Sequence, residues 1–322
     1  LPAIFIIEYA LAQLWKSLGI EPRGLIGHSM GENTAACVAG VLSFEDAIGL
    51  VRLRGELMDA VPAGGMLSVN MPEARLKPLL AGHKEVSLAA VNAPSFCVVS
   101  GPHPALEHLE EALKMREIRT RKLHTSHAFH SHMMEPAMAP FAAALEKVEM
   151  RTPSIPFVSN LTGVWILDEQ ATSPEYWVKH IRKPVYFYQG MGTLLHMPRT
   201  SLLEVGPDAV LSHLAARHPS RKSNIPVISS LQGGKGVDDQ RSLLEAAGAL
   251  WMVGASIDWN AYYAHQKRRR IALPTYPFER KRCWIEPAEL ETRERPERTE
   301  KTAVEKPYSP ATEEAEKQKP VV

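Results

Sequence analysis

A serine hydroxyl becomes a nucleophile when the chain pushes it out of a tight turn and a neighbouring base takes its proton. Ser29 has the surroundings for this. It stands inside Gly27-His28-Ser29-Met30-Gly31, behind the apolar pair Leu25-Ile26 and ahead of an Ala-rich stretch at 33–40. That order predicts a strand turning sharply into a helix, a nucleophile elbow. Glycines at 27 and 31 relieve crowding there and let the helix pack close to the strand. The Met30 backbone N–H would open the helix, without an intrahelical acceptor, aimed at the oxygen of any carbonyl that Ser29 attacks. Such a serine needs a base, and four histidines crowd into His124-Thr125-Ser126-His127-Ala128-Phe129-His130-Ser131-His132. One of them is expected to serve Ser29, the others forming pocket wall or ordinary core contacts. The cluster also invites a metal reading, but no carboxylate or cysteine follows at ligand spacing until Glu135, so no metal site is expected.

The elements that must position these groups follow from periodicity. Ile4, Ile7, Leu11, Leu14 and Leu18 recur near 3.6 residues and predict a core-facing helix over 2–18, ended by Gly19. Ser43, with Asp46 three residues on, reads as the N-cap of a long helix over 44–60. That helix contains Arg52 and Arg54, each of which by itself reads as a solvated surface arginine. Between 64 and 123, strand-like runs at 66–69, 86–91, 96–100 and 119–123 bracket helical runs at 72–80 and 104–116. The order is β-α-β-β-α-β, the pattern of a ferredoxin-like unit, expected here as an inserted subdomain covering the site. Further strands are expected at 156–158 and 202–205. Helices are expected around Tyr176-Trp177 up to Pro184, at 211–217 and at 241–254, with a glycine-rich loop at 233–236.

The expected fold class is therefore α/β, a hydrolase-like main domain with a largely parallel sheet plus the ferredoxin-like insertion. The core takes 1–62 and 125–265, and the subdomain 63–124. An extended aromatic and proline-rich segment takes 266–286, and a charged, disordered linker 287–322.

Composition narrows the class. A chain of 322 residues with 45% hydrophobic content builds a sizeable core, and a formal net charge of +1 gives no reason to expect nucleic acid or an anionic membrane as partner. Three scattered cysteines, Cys37, Cys97 and Cys283, suit a reducing cytoplasm better than a disulfide framework. No apolar run approaches the ~18 residues of a membrane span. The first residue is not Met, and the chain reads as a piece of something longer with no targeting segment visible.

Taken in order, the motifs resemble the acyltransferase domain of modular type I polyketide synthases, relatives of malonyl-CoA:acyl carrier protein transacylases. They are Pro-Ala-Ile-Phe-Ile-Ile-Glu-Tyr-Ala-Leu-Ala from residue 2, Gly-His-Ser-Met-Gly-Glu from 27, Arg54, Val91-Asn92-Ala93-Pro94 with Val99-Ser100-Gly101, and His127-Ala128-Phe129-His130-Ser131. Ser159-Asn160-Leu161-Thr162-Gly163, Leu203-Glu204-Val205-Gly206-Pro207 and Leu273-Pro274-Thr275-Tyr276-Pro277-Phe278 complete the set. The resemblance covers roughly residues 1–285.

It implies that Ser29 is the nucleophile, His130 its base, and Arg54 the group that grips the free carboxylate of malonate, which reverses the surface reading of that arginine. His127 to His130 becomes a selectivity motif of the malonyl kind, Phe129 crowding the space of an α-methyl group, with His28 and Met30 as further selectivity positions. A backbone carbonyl near His130 is implied to orient it, and by loose alignment that carbonyl is Tyr186's. The reaction implied is transfer from malonyl-CoA, through an acyl-serine ester, to the phosphopantetheine thiol of an acyl carrier protein, with no bound cofactor. The partners implied are that carrier protein and a neighbouring ketosynthase, met through 273–284, in a cytoplasmic multifunctional enzyme of secondary-metabolite biosynthesis.

Two departures accompany the match. The family's first stretch, whose Gly-Gln-Gly segment supplies a second oxyanion donor, would lie before residue 1, and Leu1 stands where relatives often have glutamine. Two other classes share part of the pattern: an α/β serine hydrolase, which should place an acid between its serine and its histidine, and a non-catalytic structural piece of a megasynthase.

Overall fold

The computed structural model describes residues 1–234, 236–264, 266–269 and 271–284. The chain divides into two units, a compact one over Leu1–Arg268 and a second from Arg269, of which residues 269 and 271–284 are described.

The first unit opens with α1 (Pro2–Ser17), β1 (Leu25–Ile26), α2 (Met30–Val38) and α3 (Phe44–Asp59). Ser43 caps α3 as its spacing predicts, its hydroxyl accepting from the Asp46 N–H at 3.0 Å. The face of α1 differs in part from the expected one, since Leu11 and Leu18 are buried as expected. Phe5, Leu11, Ala12 and Trp15 are buried, while Ile4, Ile7 and Leu14 are exposed. Apolar residues surround this helix, so two stripes compete, and the aromatic one is buried. Phe5 stacks near Tyr9 and Phe44, and Trp15 Nε1 donates to Ser230 Oγ at 2.8 Å.

Residues 65–122 then run β2 (Gly65–Val69), α4 (Glu73–Leu80), β3 (Ser87–Ala93), β4 (Phe96–Gly101), α5 (His103–Lys114) and β5 (Thr120–Lys122). The four strands form one antiparallel sheet in the order β3-β4-β2-β5. Leu67, Leu76, Cys97, Val99, Leu109 and Leu113 fill the space between sheet and helices. The edge of β3 meets the core at Val185, whose N–H donates to Ala89 O and whose carbonyl accepts from the Val91 N–H.

The chain returns through a 3-10 turn (His132–Met134) to α6 (Glu135–Leu145) and β6 (Phe157–Val158). Next come α7 (Asp168–Ala171), α8 (Pro174–Arg182), α9 (Phe187–Leu195) and β7 (Leu202–Glu204). Finally come α10 (Val210–Ala216), β8 (Val227–Ser229), α11 (Asp239–Met252) and α12 (Trp259–Tyr262). Strands of this α/β core pair in parallel, β1 with β6 and β7 with β8. An apolar cleft of about 940 Å³ is lined by residues that include Leu25 and Ile26 of β1 and Leu202 and Leu203 of β7. Among the described residues, no helix is long and apolar enough to cross a membrane.

In the second unit, 273–284 carries neither helix nor strand, and its Tyr276 and Phe278 rings meet edge to face. The expected linker at 287–322 lies outside the described residues.

Candidate active site

Gly27 is glycine of necessity. A Cβ there would fall 2.0 Å from the Gly31 carbonyl carbon and 2.1 Å from the Glu32 nitrogen, so strand and helix meet at bare backbone. The same space test at Gly31 finds nothing nearer than Glu8 Oε1 at 3.9 Å, so Gly31 matters through its backbone and not through a lack of room. Between them Ser29 holds φ 52° and ψ −110°, a left-handed backbone that non-glycine residues rarely adopt.

Asn160, buried just beyond β6, braces this turn. Its Oδ1 accepts from Ser29 N–H at 2.7 Å, and its Nδ2 donates to Gly27 O at 2.7 Å. Met30 is the first residue of α2, so its N–H has no acceptor within the helix.

Ser29 Oγ lies 2.7 Å from His130 Nε2. His130 also has positive φ, 59°, and is buried. Its Nδ1 is 2.9 Å from the carbonyl oxygen of Lys183. A carbonyl only accepts, so Nδ1 carries the proton and Nε2 is free to accept the serine hydroxyl. The expected partner, Tyr186, is thereby corrected to Lys183. Helix α8 ends at Arg182, and Pro184 forces Lys183 into extended backbone, which turns its carbonyl out of helical pairing. The Tyr186 carbonyl instead accepts the Gly190 N–H at 3.0 Å, in the first turn of α9. Burial, then the nearby His180 and Arg54, hold His130 well below the ordinary imidazole range, so it stays a neutral base.

Arg52 is solvent-exposed, paired with Glu56 at 2.6 Å. Arg54, two residues on and so on the opposite side of α3, is 2% exposed. Its Nη1 lies 3.1 Å from His180 Nδ1, and His180 Nε2 is 3.2 Å from Glu32 Oε2. Glu32 accepts the Asn160 N–H at 2.8 Å and the Tyr176 hydroxyl, whose oxygen in turn accepts the Ser159 hydroxyl at 2.7 Å. Desolvation lowers the Arg54 pKa to about 10, with the Glu32 charge opposing, so the guanidinium remains a cation at neutral pH.

Ser29, His130, Arg54, His28 and Phe129 all line a cavity of about 240 Å³, with Asn92 and Met58. Neither Ser29 nor His130 faces the larger cleft. His28 is fixed by Asn92, its Nε2 2.8 Å from Asn92 Oδ1, and burial lowers its pKa. His127 and the Met30 side chain are buried beside the cavity and do not line it. His127 backs Phe129 with ring centroids 6.1 Å apart and has its Nδ1 2.8 Å from Ser126 Oγ. The histidines thus face different partners, and among the described residues no three His, Cys, Asp or Glu side chains converge as a metal site. Reasoning from sequence missed Glu32, Asn92, Asn160, Tyr176, His180 and Lys183. The signal for Asn160 was its place in a strand-ending turn, Ser159-Asn160.

Residues 1–254 match the family model for the acyl transferase domain. A component of the phenolphthiocerol/phthiocerol polyketide synthase of Mycobacterium tuberculosis is 37% identical over 287 residues, 89% of this chain and 19% of that protein. The chain therefore spans less than a fifth of the length of this curated relative. Among solved structures, the acyltransferase domain from the second module of the salinomycin polyketide synthase superposes with a TM-score of 0.78 at 39% identity, over 85% of this chain and 64% of that one. The malonyl CoA-acyl carrier protein transacylase of Clostridium perfringens does so at 0.68 and 26% identity, over 78% of this chain and 80% of that one.

Proposed function

The chain belongs to the acyl transferase domain family, and from that premise we propose that it loads malonyl from malonyl-CoA onto the phosphopantetheine thiol of an acyl carrier protein, as one domain of a cytoplasmic modular polyketide synthase. The observation that carries the reading is the buried cation Arg54 in the same small cavity as the Ser29–His130 pair. A guanidinium there favours acyl groups ending in a carboxylate and leaves its charge unanswered by neutral ones.

Ser29 Oγ attacks the thioester carbonyl while His130 Nε2 takes the hydroxyl proton, and the oxygen becomes an oxyanion facing the Met30 N–H. The C–S bond then breaks, and the departing CoA sulfur receives the proton from His130. In the second half the pantetheine thiol gives its proton to His130 and attacks the ester, and Ser29 leaves with that proton. His130 needs only a neutral, correctly turned imidazole for this, which the Lys183 carbonyl supplies. No bound cofactor enters the scheme. Preference for malonyl over methylmalonyl is assigned to Phe129 at the cavity wall, with His127 behind it and His28 and Met30 nearby.

The βαββαβ segment, residues 63–124, is read as ferredoxin-like, on the strand order β3-β4-β2-β5. The 273–284 segment is assigned to contact with a neighbouring ketosynthase. A serine hydrolase is less well supported, because Nδ1 of His130 meets a backbone carbonyl where a hydrolase triad places a carboxylate. A purely structural role leaves the Ser29, His130 and Arg54 set without a purpose.

Intact-protein mass spectrometry after brief incubation with competing malonyl-CoA, methylmalonyl-CoA and acetyl-CoA tests the proposal. A malonyl adduct that disappears with Ser29→Ala and gives way to acetyl with Arg54→Ala supports it. No adduct on any variant would refute it.

A further inference from the structure

We propose that His180, seated between Arg54 and Glu32, is a positioning residue that aims the Arg54 guanidinium into the cavity and so sets the preference for acyl groups ending in a carboxylate. The substrate part of this rests on the acyltransferase reading above.

Three buried side chains from three helices meet here: Glu32 of α2, Arg54 of α3 and His180 of α8, with His180 and Glu32 side chains both 0% exposed. Among the described residues, no carboxylate lies within ion-pair distance of Arg54. Glu32 reaches it only across the imidazole. An arginine donates through every nitrogen and accepts through none, so the Arg54 Nη1–His180 Nδ1 contact at 3.1 Å makes Nδ1 the acceptor. The imidazole proton therefore sits on Nε2, 3.2 Å from Glu32 Oε2, where the carboxylate acts on it through charge and proximity and not through an aligned hydrogen bond.

This order has two effects. A buried guanidinium in direct contact with Glu32 would form a closed pair, already answered and turned away from the cavity. A neutral ring between them fixes one edge of the guanidinium, lets the carboxylate stabilise the cation from a distance, and leaves its positive charge for an incoming anion. The Nε–H of Arg54 is buried and has no acceptor among the described residues, consistent with a group whose hydrogen bonding is not completed by the protein. Glu32 is itself held by Tyr176 and the Asn160 N–H. Asn160 also grips Ser29. The nucleophile and the carboxylate grip thus share one brace.

The test compares His180→Leu and His180→Asn with wild type. The Asn side chain brings Oδ1 to the position of Nδ1 and keeps the acceptor for Arg54, though not the reach to Glu32. For His180→Leu, loss of a hydrogen bond to a charged group is expected to raise the apparent KM for malonyl-CoA in Ser29 acylation by about tenfold or more. Acylation by acetyl-CoA does not use the Arg54 charge and should fall by less than malonyl-CoA use, so the readout is the malonyl-to-acetyl ratio. The ratio is compared at a pH where His130 is neutral in every variant, because His180 also stands 6.1 Å from it. His180→Asn should recover malonyl-CoA use to within about threefold of wild type.

Arginine-labelled ¹⁵N–¹H spectra, with Arg54 assigned from Arg54→Lys, supply a readout independent of the reaction. Separate Nη signals from a held guanidinium are expected in wild type and His180→Asn, and averaged ones in His180→Leu. Unchanged guanidinium signals in His180→Leu, or equal loss of malonyl and acetyl transfer, would overturn the proposal. Wild-type protein taking neither acyl group would overturn the functional reading, while the guanidinium spectra would still decide for or against His180.

Discussion

Asn160 Oδ1 accepts the backbone N–H of Ser29 at 2.7 Å, although 131 residues separate them. The same side chain donates to Gly27 O, so both sides of the elbow are tied to one amide. Asn160→Ala would leave a buried N–H and a buried carbonyl unpaired, at a cost of about 2–5 kcal/mol. Chemical denaturation should show that loss, and acylation of Ser29 should fall at least about tenfold because the hydroxyl is no longer aimed. Wild-type stability in this variant would remove the brace from the account.

Gly27→Ala places a methyl 2.0 Å from backbone carbon, with no flexible side chain to move aside. It should cost more than about 3 kcal/mol or prevent folding. Gly31→Ala meets only the Glu8 carboxylate, at 3.9 Å, and adds a better helix former. Its unfolding midpoint should equal or exceed that of wild type. Similar damage from both substitutions would contradict the packing described for the elbow.

Phe129 lines the cavity beside Ser29 and Arg54. Phe129→Ser should open room for an α-methyl group and raise the methylmalonyl-to-malonyl labelling ratio by about tenfold, the worth of one methyl in a tight pocket. An unchanged ratio would move selectivity elsewhere on the wall.

Stability should rise with pH up to about 6.5. His28, His130, His180 and His218 are all held below their ordinary value of 6.5 by burial. Below 6.5 the unfolded chain therefore binds protons that the native one refuses. Each such group contributes up to about 1.4 kcal/mol per pH unit, lost as pH falls through this window and fully present above it. Glu8 acts in the opposite sense. Burial raises it from 4.5 to about 7, so its contribution fades as pH climbs through that range. Four groups against one leave a net rise. Denaturant midpoints measured from pH 5 to 6.5 should increase, and a flat profile would count against neutral buried histidines.

Much of this was legible in sequence because it is local. The elbow, the Ser43 cap and the alternation of strands and helices across 65–122 depend on neighbours within a few residues. Other features were decided by contacts across the fold. Glu32 sits in a short helix where a carboxylate ordinarily faces water, and only the arrival of Asn160, Tyr176 and His180 explains its complete burial. Arg52 and Arg54 look alike in the chain and separate only because positions two apart point to opposite sides of a helix. The α1 face was misread in part because periodicity alone does not choose between an aliphatic and an aromatic stripe. The orienting carbonyl was placed three residues too far along, beyond the proline that frees the Lys183 carbonyl.

Ser29 and His130, whose side chains meet, are two of only four non-glycine residues with positive φ among the described residues. Each carries a conformational cost of about 1–3 kcal/mol that glycine would avoid. Selection of variants for heat resistance alone would therefore favour removing the two residues on which the reaction depends. Any programme to toughen this domain must hold both positions fixed and look for gains elsewhere, with turnover screened beside melting temperature.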